Sequence, residues 1–280
     1  MVVSALLLIF CISGSAQSGF YVPRSGKIFF SGDSATIFGD VYNSGQFGIG
    51  KPATVNFKGM YWVNEWYASL TDETNFGSGI NGQGGLVRFL VPNDQLPANI
   101  SQRQYIVGGY NPVTRFGPMF ANLQLNNRWG VSLDQGSTKI RHQLDFKAGH
   151  VFTNDNTLII GDRYPGQMTG YNENRFVVTG NRTSTGVLLR EQISRKDGSV
   201  PFPVGSTVDG YAPATIYLKS DMPDDFYARV SDTVFSDAIS GTNLNINSVN
   251  KTWQLGKIIR PGQDEVEVSL QHQLGEEGAD

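Results

Sequence analysis

Hydrophobic positions in this chain fall in short runs of β-branched and aromatic residues, and glycine, asparagine or aspartate follows most of them. Examples are Lys27-Ile-Phe-Phe-Ser31, Ala35-Thr-Ile-Phe38, Gln46-Phe-Gly-Ile49 and Ala53-Thr-Val-Asn-Phe57. β-Branched and aromatic side chains suit a pleated sheet, whereas Gly and Asn readily adopt the positive φ of tight turns. Short runs spaced about ten residues apart therefore predict an all-β fold.

The same texture continues to about residue 185, through Ala121-Asn-Leu-Gln-Leu125, Gly130-Val-Ser-Leu133, Gln143-Leu-Asp-Phe146, Thr157-Leu-Ile-Ile-Gly161 and Arg175-Phe-Val-Val178. Runs of this length suit a parallel β-solenoid, in which each turn of the chain stacks on the one before. An antiparallel sandwich stays open, because both folds alternate inward and outward residues. We predict an irregular, β-helix-like solenoid over residues 20–185.

Two segments depart from this texture. Residues 69–104 contain the glycine-rich stretch 72–85 and the turn cluster Val91-Pro-Asn-Asp-Gln-Leu-Pro97, which predict a loop insertion. After Gly186 the runs are longer and alternate better, as in Ala214-Thr-Ile-Tyr-Leu218 and Val266-Glu-Val-Ser-Leu-Gln271. Residues 186–280 therefore predict an antiparallel β-sandwich module.

The N-terminus predicts export. An apolar run over residues 2–12 is followed by Ser13-Gly-Ser-Ala16, which has the length and small residues of a signal peptide cleaved before Gln17. Residues 1–16 are therefore assigned to a signal peptide. Cys11, the single cysteine, lies inside it, so the mature chain has no disulfide to hold it together.

Composition narrows the function classes. The net charge is -3 at pH 7, which gives no basic surface for nucleic acid. No segment of the sequence after the N-terminus has the length of a transmembrane span. No serine-hydrolase turn or phosphate loop occurs, and we expect no cofactor.

Several short motifs in residues 120–275 resemble secreted surface proteins of Bacteroidota type, the cargo of type IX secretion. The motifs are Leu158-Ile-Ile-Gly161, Met168-Thr-Gly170, Arg175-Phe-Val-Val-Thr-Gly180, Gly186-Val-Leu-Leu-Arg190, Phe202-Pro-Val-Gly205, Tyr211-Ala-Pro-Ala-Thr-Ile216 and Lys251-Thr-Trp253. The resemblance implies a β-rich cell-surface or released protein, commonly longer than this chain. The chain departs from the pattern because no C-terminal sorting domain follows, so we expect an N-terminal fragment in which the sandwich module is truncated.

The candidate contact residues are Tyr61, Trp62, Trp66 and Tyr67, four aromatics within seven residues. Exposed aromatic rings stack on sugars and other partners, so these positions are candidates for glycan or partner contact. The alternative is that one face of this segment packs under the insertion.

Other polar residues are weaker candidates for catalysis or metal binding. Asp155 with Asp162, and Asp221 with Asp224 and Asp225, are candidate carboxylate pairs for a carbohydrate-active enzyme. His142 and His150 share one face of a strand but have no clear third metal ligand. Asp and Asn in turns such as Asn154-Asp-Asn156, and Asp232, suit calcium, without a strict ligand spacing.

These observations favour a non-catalytic, exported, structural or adhesive surface protein that contacts extracellular glycans or cell-surface components. The alternatives are a polysaccharide lyase or hydrolase on a β-helix and a glycan-binding module. Oligomeric state cannot be read from the sequence.

Overall fold

The structure is a computed structural model that describes residues 19–72, 83–181, 183–237, 240–244, 249–258 and 264–273. The predicted signal peptide and Cys11 lie outside these ranges. Within them the chain is almost entirely β-structure, as the short hydrophobic runs predict, with one short 3-10 helix at Arg195–Asp197.

The strands of the described residues, in chain order, are β1 (Gly19–Val22), β2 (Lys27–Phe30), β3 (Ser34–Ile37), β4 (Asp40–Asn43), β5 (Gln46–Ile49), β6 (Thr54–Phe57), β7 (Tyr61–Asn64), β8 (Ser69–Thr71), β9 (Leu86–Leu90), β10 (Gln104–Val107), β11 (Met119–Asn126), β12 (Val131–Asp134), β13 (Thr138–Ala148), β14 (Val151–Phe152), β15 (Thr157–Ile160), β16 (Gln167–Thr169), β17 (Val177–Val178), β18 (Val187–Ile193), β19 (Val200–Phe202), β20 (Val204–Gly205), β21 (Ala214–Leu218), β22 (Asp224–Ser231), β23 (Phe235–Asp237), β24 (Ser240–Asn243), β25 (Thr252–Lys257) and β26 (Val266–Leu270).

A parallel β-solenoid of about eight turns forms the body of the protein. Among the described residues, face 1 consists of eight strands in the order β1-β4-β7-β10-β12-β14-β17-β20, one from each turn. Gly19 pairs with Asp40 and Val41 pairs with Trp62, so the first two turns each take 21 residues (40 minus 19, and 62 minus 41). The prediction of a solenoid rather than a sandwich for this region is confirmed.

Two further faces complete each turn. Face 2 begins with β2, β5 and β8, and face 3 begins with β3, β6 and β9. The long strand β13 passes from one to the other, because its first part pairs with β15 and its second part pairs with β16. Strand β11 follows the same path, with an irregularity between Phe120 and Asn122 where it turns the corner.

Strands in the C-terminal region reverse direction. β18 pairs in parallel with β15 and β20 pairs in parallel with β17, so the solenoid continues beyond residue 186, where the sequence predicts a domain boundary. The antiparallel strands come later: β22 pairs with β18, and β25 pairs with β22. A separate antiparallel sheet, β19-β21-β26, lies beside them.

The predicted insertion at residues 69–104 is partly solenoid. β8 and β9 fall inside this range and belong to faces 2 and 3. The described part of the insertion is therefore the loop at 91–103, which leads into β10, while residues 73–82 lie outside the description.

The interior is filled by apolar side chains that stack from turn to turn. In the first turns these are aromatic: the ring of Trp62 lies 5.3 Å from Phe47, 5.3 Å from Phe57 and 5.5 Å from Phe120, centroid to centroid. Later turns continue the column with aliphatic residues such as Leu144. Because burial of apolar surface drives folding, this column is the main source of stability in a chain without disulfides.

Buried asparagines hold the corner after β4 and β7. The Asn43 side-chain amide donates to Asn64 Oδ1 at 3.3 Å, and Trp62 Nε1 donates to the same oxygen at 3.2 Å. Register across the turns is thereby fixed by hydrogen bonds between polar groups that water does not reach.

The part of the chain that the structure describes holds no helix with the length and hydropathy of a membrane-spanning segment.

Candidate contact surface

Tyrosines line the outer side of face 1. Tyr21 lies opposite Tyr42 on the neighbouring strand, and Tyr61 lies opposite Tyr105. The rings of Tyr61 and Tyr105 stack at 5.0 Å with an angle of 15° between their planes. On the next strand Tyr42 lies opposite Val63, so the two tyrosine pairs stand in neighbouring rows of face 1. Tyr21 is 60% exposed and Tyr42 is 44% exposed, so these rings face solvent. Because strands of a sheet lie about 4.8 Å apart, the solenoid holds these rings at fixed intervals.

Trp66 lies at the corner that follows β7. It is 64% exposed, and it packs edge-on against Tyr67 at 5.4 Å and against Phe116 at 6.4 Å. The guanidinium of Arg24 lies 4.7 Å from the centroid of the half-buried Tyr67 ring. We call Tyr21, Tyr42, Tyr61, Trp66 and Tyr105 the aromatic strip.

Trp62 does not belong to this surface. Its side chain is fully buried in the solenoid core, so we remove it from the candidate contact residues. Extended alternation would place Trp62 and Trp66 on one face, but the strand ends at Asn64 and a turn begins, which breaks the alternation. Tyr61, Trp66 and Tyr67 remain at or near the surface.

Sequence reasoning missed Tyr21, Tyr42 and Tyr105. The signal for the first two was present, because they stand 21 residues apart, which is the length of the first turns (42 minus 21). Tyr105 carries no such signal, since the turn before it includes the residues between β8 and β10 and is much longer.

The histidines lie at different corners. His142 stacks on Tyr164, with ring centroids 5.7 Å apart, and its Nδ1 is hydrogen-bonded to the tyrosine hydroxyl. His150 packs edge-on against Phe176 at 4.6 Å, and burial lowers the pKa of its imidazole. Within the described ranges, no three His, Cys, Asp or Glu side chains come together as a metal site.

The turn residues considered for calcium are used structurally. The side-chain amides of Asn154 and Asn156 donate to the carbonyl oxygen of Leu133 at 2.9 and 3.1 Å. Asp232 accepts hydrogen bonds from Lys251 and from the hydroxyl of Ser206. Each of these side chains therefore makes a hydrogen bond or an ion pair within the protein.

A buried charged cluster lies on the outer side of face 2. Lys139 Nζ is 2.8 Å from Glu191 Oε2 and 3.3 Å from Asp162 Oδ1, and it also contacts the hydroxyl of Tyr110. The side chains of Lys139 and Glu191 are 4% and 6% exposed. Arg115, on the loop that carries Tyr110, pairs with the buried Asp225 at 2.8 Å.

Burial and mutual attraction set the pKa values in this cluster. Burial raises the pKa of Glu191, and the neighbouring ammonium of Lys139 only partly offsets this rise. Burial alone lowers the pKa of Lys139, but Glu191, Tyr110 and Asp162 together outweigh it, so that the pKa of Lys139 lies above the usual value. Burial also raises the pKa of Tyr110. The buried charges of this cluster are therefore balanced by one another, beneath the loop that carries Tyr110 and Arg115.

The carboxylates proposed as catalytic pairs are not brought together as free acids. Asp155 and Asp162 lie at opposite ends of β15, the first accepting from the backbone of Thr185 at 2.9 Å and the second pairing with Lys139. Asp224 pairs with Lys257 at 3.1 Å. Asp225 pairs with Arg115, and Asp221 is exposed in the turn that precedes them.

The chain matches no family model, no curated protein and no solved structure. Function therefore has to be argued from the surface itself.

Proposed function

We propose that the protein is a non-catalytic, exported structural or adhesive scaffold of the cell surface, and that the aromatic strip contacts glycans. The observation that carries this proposal is the exposure of the strip on a solenoid face. Tyr21, Tyr42 and Trp66 present between 44% and 64% of their surface to solvent, although each could have been buried in the core or replaced by a polar residue.

The strip suits a carbohydrate for two reasons. A tyrosine or tryptophan ring offers an apolar face for the C–H side of a sugar ring and a polar edge for its hydroxyls. The backbone hydrogen bonds of the solenoid hold the rings in place before binding, so little conformational entropy is lost when a ligand arrives. An extended glycan lying across the strands would meet the rings of Tyr21 and Tyr42 in one row, or those of Tyr61 and Tyr105 in the other.

Export and surface location belong to the same proposal. The support is the signal-peptide pattern of residues 1–16 and the resemblance of residues 120–275 to Bacteroidota-type surface proteins that use type IX secretion. In this proposal the parallel solenoid is the rigid part of the scaffold, and the antiparallel strands after β20 form a sandwich-like module at one end of the solenoid.

A carbohydrate-active enzyme is the second candidate, favoured by a groove of about 1060 Å³ beside face 3. Hydrolysis of a glycosidic bond commonly needs two carboxyl groups about 5–10 Å apart. Among the described residues that line the groove, the single carboxylate is Asp197, which accepts from the backbone and hydroxyl of Ser194 at 2.8 and 2.6 Å. We therefore favour binding over hydrolysis.

A glycan array with the mature chain tests the proposal. The test variant combines Tyr21→Ser, Tyr42→Ser and Tyr61→Ser, and the matched control is Phe38→Ser, which removes an exposed ring that belongs neither to the strip nor to the groove. We expect the triple variant to lose about tenfold or more in affinity for the glycans that the parent binds, because each stacked ring contributes about 1 kcal/mol. The control should bind like the parent.

Two results would contradict the proposal: no glycan bound by the parent, or undiminished binding by the triple variant. Circular dichroism of each variant checks that the fold is intact, which we expect because the three tyrosines lie outside the core.

A further inference from the structure

The groove runs along the corner where face 2 turns into face 3. Its lining comes from one short segment of each turn from the second to the seventh: residues 51–53, 83–86, 122, 142–143, 164–169, and 190 with 197–201. Six neighbouring turns at about 4.8 Å each give a length of roughly 24 Å. The groove is therefore long and open along its axis, a shape that fits a linear polymer.

Side-chain amides form a row beside the groove. Asn122 lies opposite Gln143, and Gln143 lies opposite Gln167, on three consecutive strands of face 3. The Asn122 amide donates to the carbonyl oxygens of Gln83 at 2.9 Å and Gly85 at 3.1 Å, which leaves its own oxygen for a ligand. Gln143 donates to Thr169 Oγ1 at 3.2 Å, while Gln167 is exposed. Each primary amide has two N–H donors and a carbonyl acceptor, which can match the hydroxyl groups of a sugar. Because each of the three strands carries one such amide, the amides recur at the spacing between neighbouring turns.

The charge of the lining is positive. Arg190 is almost fully buried, and its guanidinium donates to the carbonyl oxygens of Pro165 at 3.0 Å, Gly166 at 3.1 Å and Pro201 at 2.7 Å. Among the described residues it forms no ion pair with a carboxylate. Burial lowers the pKa of Arg190 to about 10, since this cation is shielded from water without an anion in contact.

A second cation stands at the other end of the groove. Lys51 is exposed, and its Nζ donates to Gln83 Oε1 at 2.7 Å rather than to a carboxylate. The acid of the lining, Asp197, is committed to Ser194. Asp197 attracts Arg190 from a distance but offsets the cost of burying its charge only in part, so an anionic ligand near Arg190 would be stabilised by the groove.

An aromatic pair forms one wall. Tyr164 is 47% exposed, and its ring lies almost parallel to that of His142, with 17° between the planes. The hydrogen bond between the tyrosine hydroxyl and His142 Nδ1 fixes this pair. The exposed surface of the Tyr164 ring can stack on a sugar, as aromatic platforms do in other binding sites.

We propose that this groove binds a linear acidic polysaccharide. The amide row contacts its hydroxyls, the ring of Tyr164 supports a sugar face, and carboxylate groups of the polymer lie near Arg190 and Lys51. The site is separate from the aromatic strip and does not depend on it. No covalent step is involved.

Isothermal titration with galacturonic acid oligomers tests this inference, and neutral galactose oligomers of equal length are the comparison. We expect the acidic oligomers to bind at least about tenfold more tightly, with an affinity that falls as salt is raised. The double variant Gln143→Ala with Gln167→Ala should weaken binding about tenfold, the effect of losing two hydrogen bonds to a ligand. Lys51→Gln should weaken it severalfold.

Matched controls separate the groove from general charge. Lys27→Gln removes an exposed lysine of the first turn, outside the groove, and should leave affinity unchanged. Tyr42→Ser removes a ring of the aromatic strip and should also leave it unchanged, so failure here is distinct from failure of the adhesive proposal. Because these positions are on the surface, the variants should fold.

Three outcomes would overturn the inference: no binding of the acidic oligomers, equal binding of the neutral ones, or loss of binding that is the same for Lys27→Gln as for Lys51→Gln. Polyglutamate, an acidic polymer without sugar rings, is the last ligand to be compared. If it binds as tightly as the acidic sugars and is insensitive to the double amide variant, then charge alone is recognised and the polysaccharide assignment is wrong.

Discussion

The ion pair between Lys139 and Glu191 gives a prediction whose size and pH dependence both follow from the structure. Replacing Lys139 by Met keeps a chain of similar length but removes the ammonium that lies 2.8 Å from the Glu191 carboxylate. Glu191 is then a buried carboxylate without its main cation. Removing one partner of a buried pair is strongly destabilising because the other charge stays out of water.

The destabilisation has an upper limit, because Glu191 can take up a proton instead. Its ordinary pKa of 4.5 is already raised by burial in the folded protein, and loss of Lys139 raises it further. Holding the carboxyl neutral at pH 7, about 2.5 pH units above 4.5, costs at most about 3.4 kcal/mol at about 1.4 kcal/mol per unit. The deficit appears as pH rises through the window above 4.5, and it shrinks to below about 1 kcal/mol at pH 5.

Urea unfolding at pH 5, 6 and 7, followed by circular dichroism, measures this deficit as the difference from the parent at each pH. The double variant Lys139→Met with Glu191→Gln should recover much of the loss at pH 7 and show little pH dependence, because the ionisable carboxyl is gone. Lys147→Met is the matched control: Lys147 pairs with Asp145 at 3.1 Å but is 54% exposed, so its loss should change stability by less than about 1 kcal/mol. A deficit of the same size at pH 5 and pH 7 would refute the reasoning.

Three further predictions concern the core and the corners. Trp62→Ala should lower the free energy of unfolding by about 3–5 kcal/mol, because it empties part of the core. Trp66→Ala, at an exposed position, should change it by less than about 1 kcal/mol. Equal effects of the two substitutions in urea unfolding would contradict the placement of the two rings. Asn64→Ala should cost about 1–3 kcal/mol because it leaves the buried donor of Trp62 without its acceptor, and an unchanged free energy of unfolding would contradict this. Asn64→Asp should cost more at pH 7 than at pH 5, because a buried carboxylate without a cation is unfavourable. Gly45→Ala should lower the free energy of unfolding by about 1–3 kcal/mol, because a Cβ at this position would meet the carbonyl oxygen of Pro23. An unchanged free energy of unfolding would show that the backbone at this corner shifts without cost.

The fold class and the solenoid could be predicted because they depend on repeated local patterns. Short β-branched runs ended by turn residues specify strands, and strands that recur at about one turn length specify stacking. The fate of Trp62 could not be predicted from the same pattern. Alternation shows that two faces differ, but which face is interior depends on where the chain turns, and the turn after Asn64 interrupts the alternation.

Charged residues account for most of what the sequence did not reveal. Lys139, Glu191 and Arg190 lie on the strands β13 and β18, and each is buried because of partners that lie elsewhere in the chain. The partner of Lys139 is 52 positions later (191 minus 139), and the guanidinium of Arg190 contacts the carbonyl of Pro165, an atom present in every residue. Neither a charge pattern nor a motif marks such contacts, so they appear only when the turns are stacked.

The reversal of strand direction after β20 has a consequence for assembly. A parallel turn is a template for another copy of itself, since its free backbone groups accept an identical neighbour in the same orientation. Here β22 and β25 cover β18 with chains running the opposite way, and β21 covers β19. We therefore expect the antiparallel cover over these strands to disfavour end-to-end stacking of identical molecules at this end.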